Sequence, residues 1–199
     1  ITMVEFYYLG KKATVRDSMA FMTTLFNKQD EIWGSNADAD AVRTERLIND
    51  FTVYNAKIVD QPTIEQIKAE LQLKFPVIVP LYGKTLNNPN TPFLARGSYY
   101  HMIVIIGYDD ITGEFITHDN GDTKTGEYHR YKYEILMDSL HDFNFNTHKA
   151  NGPARAIFTY PKLVKLTSDP RVYYLEKDIK RWIVNEQAFK AGGFKLSLI

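Results

Sequence analysis

The stretch that most constrains this chain is Tyr100-His101-Met102-Ile103-Val104-Ile105-Ile106-Gly107-Tyr108-Asp109-Asp110, followed by Gly113-Glu114-Phe115-Ile116-Thr117-His118-Asp119-Asn120. Its first part is a β-branched run closed by Gly, Tyr and two Asp, the pattern of a strand buried on both faces. Asp109-Asp110-Ile111-Thr112-Gly113 is turn chemistry, with Gly113 free to adopt positive φ. Glu114 to Thr117 returns as a second strand, so the pair is expected to be an antiparallel hairpin. His101 opens the first strand and Asp119 closes the second, and in an antiparallel pair those ends are neighbours. A carboxylate beside an imidazole fixes the ring's tautomer and stabilises its charged form. The same spacing also fits a core histidine or a strand-end polar residue.

With those residues in place, the hairpin resembles the His and Asp blocks of the papain-like cysteine peptidases related to the bacteriocin-processing (C-39-like) family. That family's pattern is His, a hydrophobic strand, Gly-Tyr-Asp, a short turn, then Phe-Ile-x-x-Asp-Pro. Upstream, Phe75-Pro76-Val77-Ile78-Val79-Pro80 and Asn87-Asn88-Pro89-Asn90 are similar to members of the group, as are Gly126-Glu127-Tyr128 and Tyr131-Lys132-Tyr133 downstream. The likeness runs from about Ala41 to Tyr160. It implies that His101 is a general base and Asp119 its orienting partner. Asn120 stands where the family usually has Pro.

Composition then excludes several classes. The 199 residues are 44% hydrophobic and 14% aromatic, enough for one packed domain and a small appendage. Lys+Arg and Asp+Glu both number 24, so no charge field points to nucleic acid or a membrane surface. No apolar run approaches the roughly 20 residues of a membrane span, and no signal peptide is visible. Opening on Ile1, the chain reads as a processed or incompletely recorded product. It has no cysteine, which excludes disulfides and thiolate metal sites and leaves the redox compartment open.

Along the chain, Thr2 to Tyr8 is expected to be extended and Gly10-Lys11-Lys12 to break it. Arg16 to Asn27 is expected to be a largely buried helix, with Met19, Met22 and Phe26 as core filler and Phe21 and Leu25 beside them. The polar stretch Gly34 to Asp40 reads as a solvated loop, and Asp40 caps a helix to about Asn49. Thr52 to Val59 reads as a strand. Thr63-Ile64-Glu65-Gln66 is a capping box that opens a helix with an Ile64, Ile67 and Leu71 stripe. Pro76 and Pro80 are expected to bracket a short strand. The stretch from Gly83 to Gly97 reads as a long rim or lid loop. A strand over Tyr128–Tyr133, a helix over Glu134–His141 and a strand over Ala154–Tyr160 complete the domain. His118, Asp119, Asp122 and His129 crowd one region, but without helical His spacing or a thiolate they are not assigned as metal ligands, and no cofactor is expected.

After Pro161 the pattern restarts. Val172-Tyr173-Tyr174-Leu175 and Lys180-Arg181-Trp182-Ile183 have hairpin patterning, and Asn185 can cap a short helix ended by Gly192-Gly193. This tail resembles a short module of secreted and surface proteins of bacteria; it fits equally a C-terminal extension of the main domain. The expected architecture is therefore α+β and papain-like: an N-terminal helix packed on an antiparallel sheet over residues 1–162, and a β-hairpin/helix appendage over residues 163–199.

The nucleophile decides the function. A papain-like peptidase needs a Cys at the N-terminus of a buried helix and an oxyanion donor, normally a Gln upstream. In the resembling family the helix block reads Cys-Glu-x-Ala-Ser-x-x-Met, after a Val-Pro-Phe-x-x-Gln segment. Registering Ala13 to Met22 on Met22 puts Val15 at the Cys position, whereas registering on Ser18 puts Thr14 there. Phe26 then meets a family aromatic and favours Val15. Matching Val4-Glu5-Phe6 to the first segment puts Leu9 at the Gln position. The resemblance thus implies a domain with His101 and Asp119 as a vestigial dyad and its peptidase chemistry lost. Such a domain would bind a peptide or protein, or form part of a secreted or cell-surface bacterial assembly. The alternative is an active cysteine peptidase whose Cys is missing from the recorded chain or replaced by engineering; Phe6 to Val15 is also shorter than in family members. Oligomeric state is not legible.

Overall fold

A computed structural model describes residues 1–86, 100–119, 126–165, 167–176 and 179–191. They fall into two compact units. One comprises Ile1–Asn36, Glu45–Lys57 and the described part of Tyr160–Ile199; the other comprises Ala37–Thr44 and the described part of Ile58–Thr159.

The first unit opens with helix α1 (Thr2–Tyr8) where an extended segment is expected. Aromatic and β-branched residues favour a strand locally, but burial here has helical spacing. Val4 and Glu5 are buried, Tyr8 stacks on Tyr54 with ring centroids 5.0 Å apart, and Met3 and Tyr7 face out. Leu9 is the C-cap. Helix α2 (Val15–Trp33) begins at a capping box, Thr14 with Asp17, and ends on Gly34 at φ 68°. The expectation of a largely buried helix is corrected: of its residues only Leu25 and Gln29 are buried. Val15 is 82% exposed, and Met19, Met22 and Phe26 are exposed as well. The inward stripe is instead Ser18, Phe21, Leu25, Gln29 and Ile32, about one residue or 100° around the helix. Phe21 anchors it by an edge contact with Phe6, 6.4 Å between centroids.

The tail forms its own antiparallel sheet, ordered β7 (Leu163–Lys165), β8 (Val172–Glu176), β9 (Ile179–Trp182), followed by α6 (Glu186–Ala191). The β8–β9 hairpin pairs Tyr173 with Trp182 and Tyr174 with Arg181. Strand β7 carries no expected signal because three residues show no periodicity. Asn185 caps α6 by accepting the Ala188 N–H at 2.8 Å. The expected stop at Gly192-Gly193 lies outside the described residues, as do Asn87 to Gly97, Asn120 and Asp122.

Helix α3 (Ala41–Phe51), whose residues are shared between the units, follows Asp40, whose carboxylate accepts the Arg43 N–H at 2.9 Å. In the second unit, α4 (Ile64–Gln72) starts at the Thr63/Gln66 capping box as expected. Strands β2 (Val77–Tyr82), β3 (Tyr100–Asp109), β4 (Glu114–His118), β5 (His129–Lys132) and β6 (Arg155–Pro161) build the main sheet with α5 (Tyr133–Ser139). With β1 (Tyr54–Asp60), whose residues are shared between the units, the order is β1-β6-β2-β3-β4-β5. Pro80 lies inside β2 rather than after it. It pairs with Met102, while the pairing of β2 with β6 is confined to Val77 and Ile78, so one side of Pro80 needs no ladder donor. Alternate residues Val77, Val79 and Leu81 of β2, Ile103 and Ile105 of β3 and Phe115 of β4 share one core with Ile67 of α4 and Leu136 of α5. The architecture is α+β, with helices beside an antiparallel six-stranded sheet and a small three-stranded one.

Candidate functional site

The site grows from the register of β3 and β4. Ile105 lies opposite Thr117 and Val104 opposite His118, and a bulge follows before Gly107 meets Ile116. Side chains alternate along a strand. His101 therefore shares a face with Ile103 and Ile105, while Asp119 shares that same face with Thr117 and Phe115. The Asp109-to-Gly113 turn is held by the Asp109 carboxylate, which accepts the Ile111 N–H at 3.0 Å, and by Gly113 at φ 66°. Two strand ends 18 residues apart in sequence are thus brought together.

His101 Nε2 lies 2.5 Å from Asp119 Oδ1, with the His side chain 8% and the Asp side chain 0% exposed. Facing an ionised carboxylate, which can only accept, Nε2 would be the nitrogen that carries the proton. A carboxylate held against an imidazole in this way can orient the ring for proton transfer. Asp119 Oδ2 is also buried and meets no hydrogen-bond partner among the described residues.

Tyr100, next to His101, points to the opposite face and fixes the start of β3. Its hydroxyl lies 2.9 Å from the Ala39 carbonyl and 3.2 Å from Asp142 Oδ1. Buried Asp142 also accepts the Ala41 N–H at 2.9 Å, the Phe143 N–H at 2.8 Å and Arg155 Nη1 at 3.0 Å. Sequence reasoning missed Asp142. Its partners come from positions 41, 100 and 155, and no local pattern reports them.

Around the pair, Thr117 Oγ1 donates to the His129 carbonyl at 3.0 Å. The His129 ring packs on Tyr131 at 4.5 Å, and the His118 ring on Tyr128 at 4.7 Å. Burial pushes both imidazoles below the ordinary histidine range, opposed by Asp119 at His129 and by Glu127 at His118. Among the described residues no group of three or more His, Asp or Glu side chains gathers as a metal site.

The other positions of interest belong to the first unit. Thr14 is the N-cap of α2: its hydroxyl donates to Asp17 Oδ2 at 2.7 Å and accepts the Asp17 N–H at 3.1 Å. Val15 is the first residue of that helix, and Leu9 ends α1. The structure brings His101 and Asp119 together within one unit. Leu9, Thr14 and Val15 stand in the other.

An antiparallel sheet carrying a buried His–Asp pair at one hairpin, with helices alongside, defines a papain-like α+β domain. The model of the Peptidase C39 like family matches residues 1–147, and the chain belongs to that family. No curated protein matches it.

Proposed function

We propose that this chain is a C39-like domain that retains the base of a cysteine-peptidase site without its nucleophile, and that it holds a peptide or protein partner rather than cleaving one. The observation that carries this reading is the absence of any Cys from the 199 residues. The two residues that could align with the nucleophile offer no substitute. Val15 has nothing to attack a carbonyl with, and the Thr14 hydroxyl is engaged by Asp17 as a helix cap. An alcohol becomes a nucleophile only when a base activates it. Leu9 has no side-chain donor for an oxyanion. Loss of a nucleophile costs on the order of a millionfold in turnover, and loss of one oxyanion donor roughly a hundred- to a thousandfold, although such losses do not add. Shape and backbone hydrogen bonding can still hold an extended peptide. The resemblance of the tail to modules of secreted and surface proteins supports an extracellular bacterial setting.

The test is incubation of the purified chain with a diverse peptide library and with a thiol-directed active-site probe. The expected result is no cleavage and no labelling, with His101→Ala altering stability or partner binding alone. Cleavage that disappears in His101→Ala would overturn the reading.

A second reading is favoured by the dyad itself. Binding alone gives no reason to keep a buried carboxylate one of whose oxygens meets no hydrogen-bond partner among the described residues, a feature that costs about 1–3 kcal/mol. In that reading the protein is an active cysteine peptidase whose thiol lies outside these 199 residues, with His101 as base and Asp119 as its orienting group. Intact mass and peptide mapping of the protein from its source decide between the two, since a cysteine-bearing N-terminal peptide labelled by the probe would establish the active form.

A further inference from the structure

Helix α2 is held by one stripe and leaves a second one bare. Ser18, Phe21, Leu25, Gln29 and Ile32 face inward, while Val15, Met19, Met22 and Phe26 are exposed beside them. These four follow a four-three-four spacing, and at 100° per residue they fall within an arc of about 60°. So narrow a seam is the pattern of a helix that pairs with one other helix, whereas a helix lying on a domain shows a wider apolar face. The seam runs about 16 Å along a helix whose start is fixed by the Thr14/Asp17 capping box.

Size and charge identify the occupant. Against a second copy running the opposite way, with the two-fold axis between Met19 and Met22, the seam meets itself in four layers. Val15 lies opposite the partner's Phe26 and Met19 opposite the partner's Met22, and the same two pairs recur in reverse. The smallest side chain thus meets the largest, and flexible thioethers fill the middle. Along one flank of the seam, seven residues apart, stand Arg16, Thr23 and Asp30, all exposed. In this register Arg16 and the partner's Asp30 are offset by five residues, about 7.5 Å along the axis. Helical side chains lean towards their own N-terminus, so these two lean towards one another and close that gap. Two pairs of opposite charge form in this way. In a parallel pairing the same flank would face Ser18, Leu25 and Ile32, which carry no charge.

We propose that α2 is a self-association surface: two copies of this chain pair their α2 helices antiparallel through Val15, Met19, Met22 and Phe26, with Arg16 set against the partner's Asp30. The pairing is independent of the peptide-holding reading and of any turnover. A seam this short is smaller than a permanent interface, so the dimer is reversible.

Sedimentation equilibrium of the whole chain over a concentration series tests this. Wild type is expected to be a reversible monomer–dimer system. Met22→Lys, at an exposed position, should weaken association by more than about tenfold. If that variant does not fold by circular dichroism, Met19→Gln carries the same expectation. Arg16→Asp or Asp30→Arg alone sets like charges together twice per dimer and should weaken association about tenfold. The double variant Arg16→Asp/Asp30→Arg rebuilds both pairs with their signs exchanged, and should return the dimer to within about twofold of wild type. Both exchanges agree with the helix dipole, acid at the start and base at the end, so α2 itself is not put at risk. A wild-type chain that stays monomeric up to about 1 mM would overturn the proposal. So would a dimer indifferent to Met22→Lys, which places association on another face. A double variant no better than the single ones would overturn the antiparallel pairing as well.

Discussion

Truncating Asp142 should destabilise the second unit more than any comparable change outside its apolar core. Four donors converge on this carboxylate: the N–H groups of Ala41 and Phe143 and the Tyr100 hydroxyl on Oδ1, and Arg155 on Oδ2. In Asp142→Ala two of them have alternatives. The Tyr100 hydroxyl retains the Ala39 carbonyl at 2.9 Å, and Arg155 retains Asp60 at 2.8 Å. The two backbone N–H groups lose the side-chain acceptor, and an orphaned buried donor costs about 1–3 kcal/mol. The ion pair with Arg155, whose side chain is 24% exposed, adds about 1 kcal/mol at most. The expected loss is about 4 kcal/mol, within the range for breaking a buried ion pair. For a chain of this length that corresponds to a fall in Tm of roughly 8–16 °C. Asp142→Asn separates the contributions. With its oxygen at the Oδ1 position it keeps three donors and loses only Arg155, so about 1–2 kcal/mol should go. Thermal and urea melts of both variants read this directly. Equal losses in the two, or a loss below about 1 kcal/mol in Asp142→Ala, would refute the account of Oδ1 as the anchor of β3 beside His101.

Three further expectations follow from single contacts. A Cβ on Gly152 would sit 2.8 Å from the Asp142 carbonyl oxygen, a backbone atom, so Gly152→Ala should cost about 1–3 kcal/mol in a thermal melt. Thr14→Ala should cost about 1 kcal/mol by removing the α2 cap while Thr14→Ser largely preserves it; peptide turnover lost with Thr14 would contradict its role as a cap. Burial raises the Glu5 carboxyl above its ordinary range, with the Val53 N–H and Lys162 acting against it. A folded-state pKa above the unfolded one favours folding most below the unfolded value, and this contribution is lost as pH rises through the folded value. Glu5→Gln, which retains an acceptor for Val53, should therefore gain on wild type as pH rises from about 4 to 7 in urea titrations, and a pH-independent difference would refute this.

What was legible in the sequence had local causes. The His101–Asp119 hairpin is written by a β-branched run, an Asp-rich turn and one glycine at positive φ, all within a single continuous stretch. The Thr63 and Asp40 caps are legible for the same reason: each needs only a donor three residues on. Helix α1 was misread because its aromatic and β-branched residues favour a strand when taken alone. Its state is set by Tyr54 and Val53, which receive Tyr8 and Glu5 from far along the chain. The facing of α2 was misread for a related reason. The Met19, Met22 and Phe26 stripe and the Phe21 and Leu25 stripe both have helical spacing, and the Phe6 contact selects the second.

The same division of causes explains why the His101–Asp119 pair could be read from the sequence while a nucleophile could not. Orienting an imidazole takes one carboxylate on the adjacent strand, and antiparallel pairing supplies that neighbour wherever the turn allows. Activating a nucleophile is a more demanding requirement. It needs a thiol or an uncommitted hydroxyl at a helix start, where the unpaired N–H groups and helix dipole favour the anion. At the start of α2 those features are already engaged: Thr14 and Asp17 satisfy one another, and the Asp17 carboxylate places a negative charge in the first turn. Asp17 is itself held below the usual carboxylate range, first by the Thr14 hydroxyl, so it stays charged through neutral pH. The local chemistry at the start of α2 is that of a helix cap, which supports the proposal that neither Thr14 nor Val15 serves as a nucleophile.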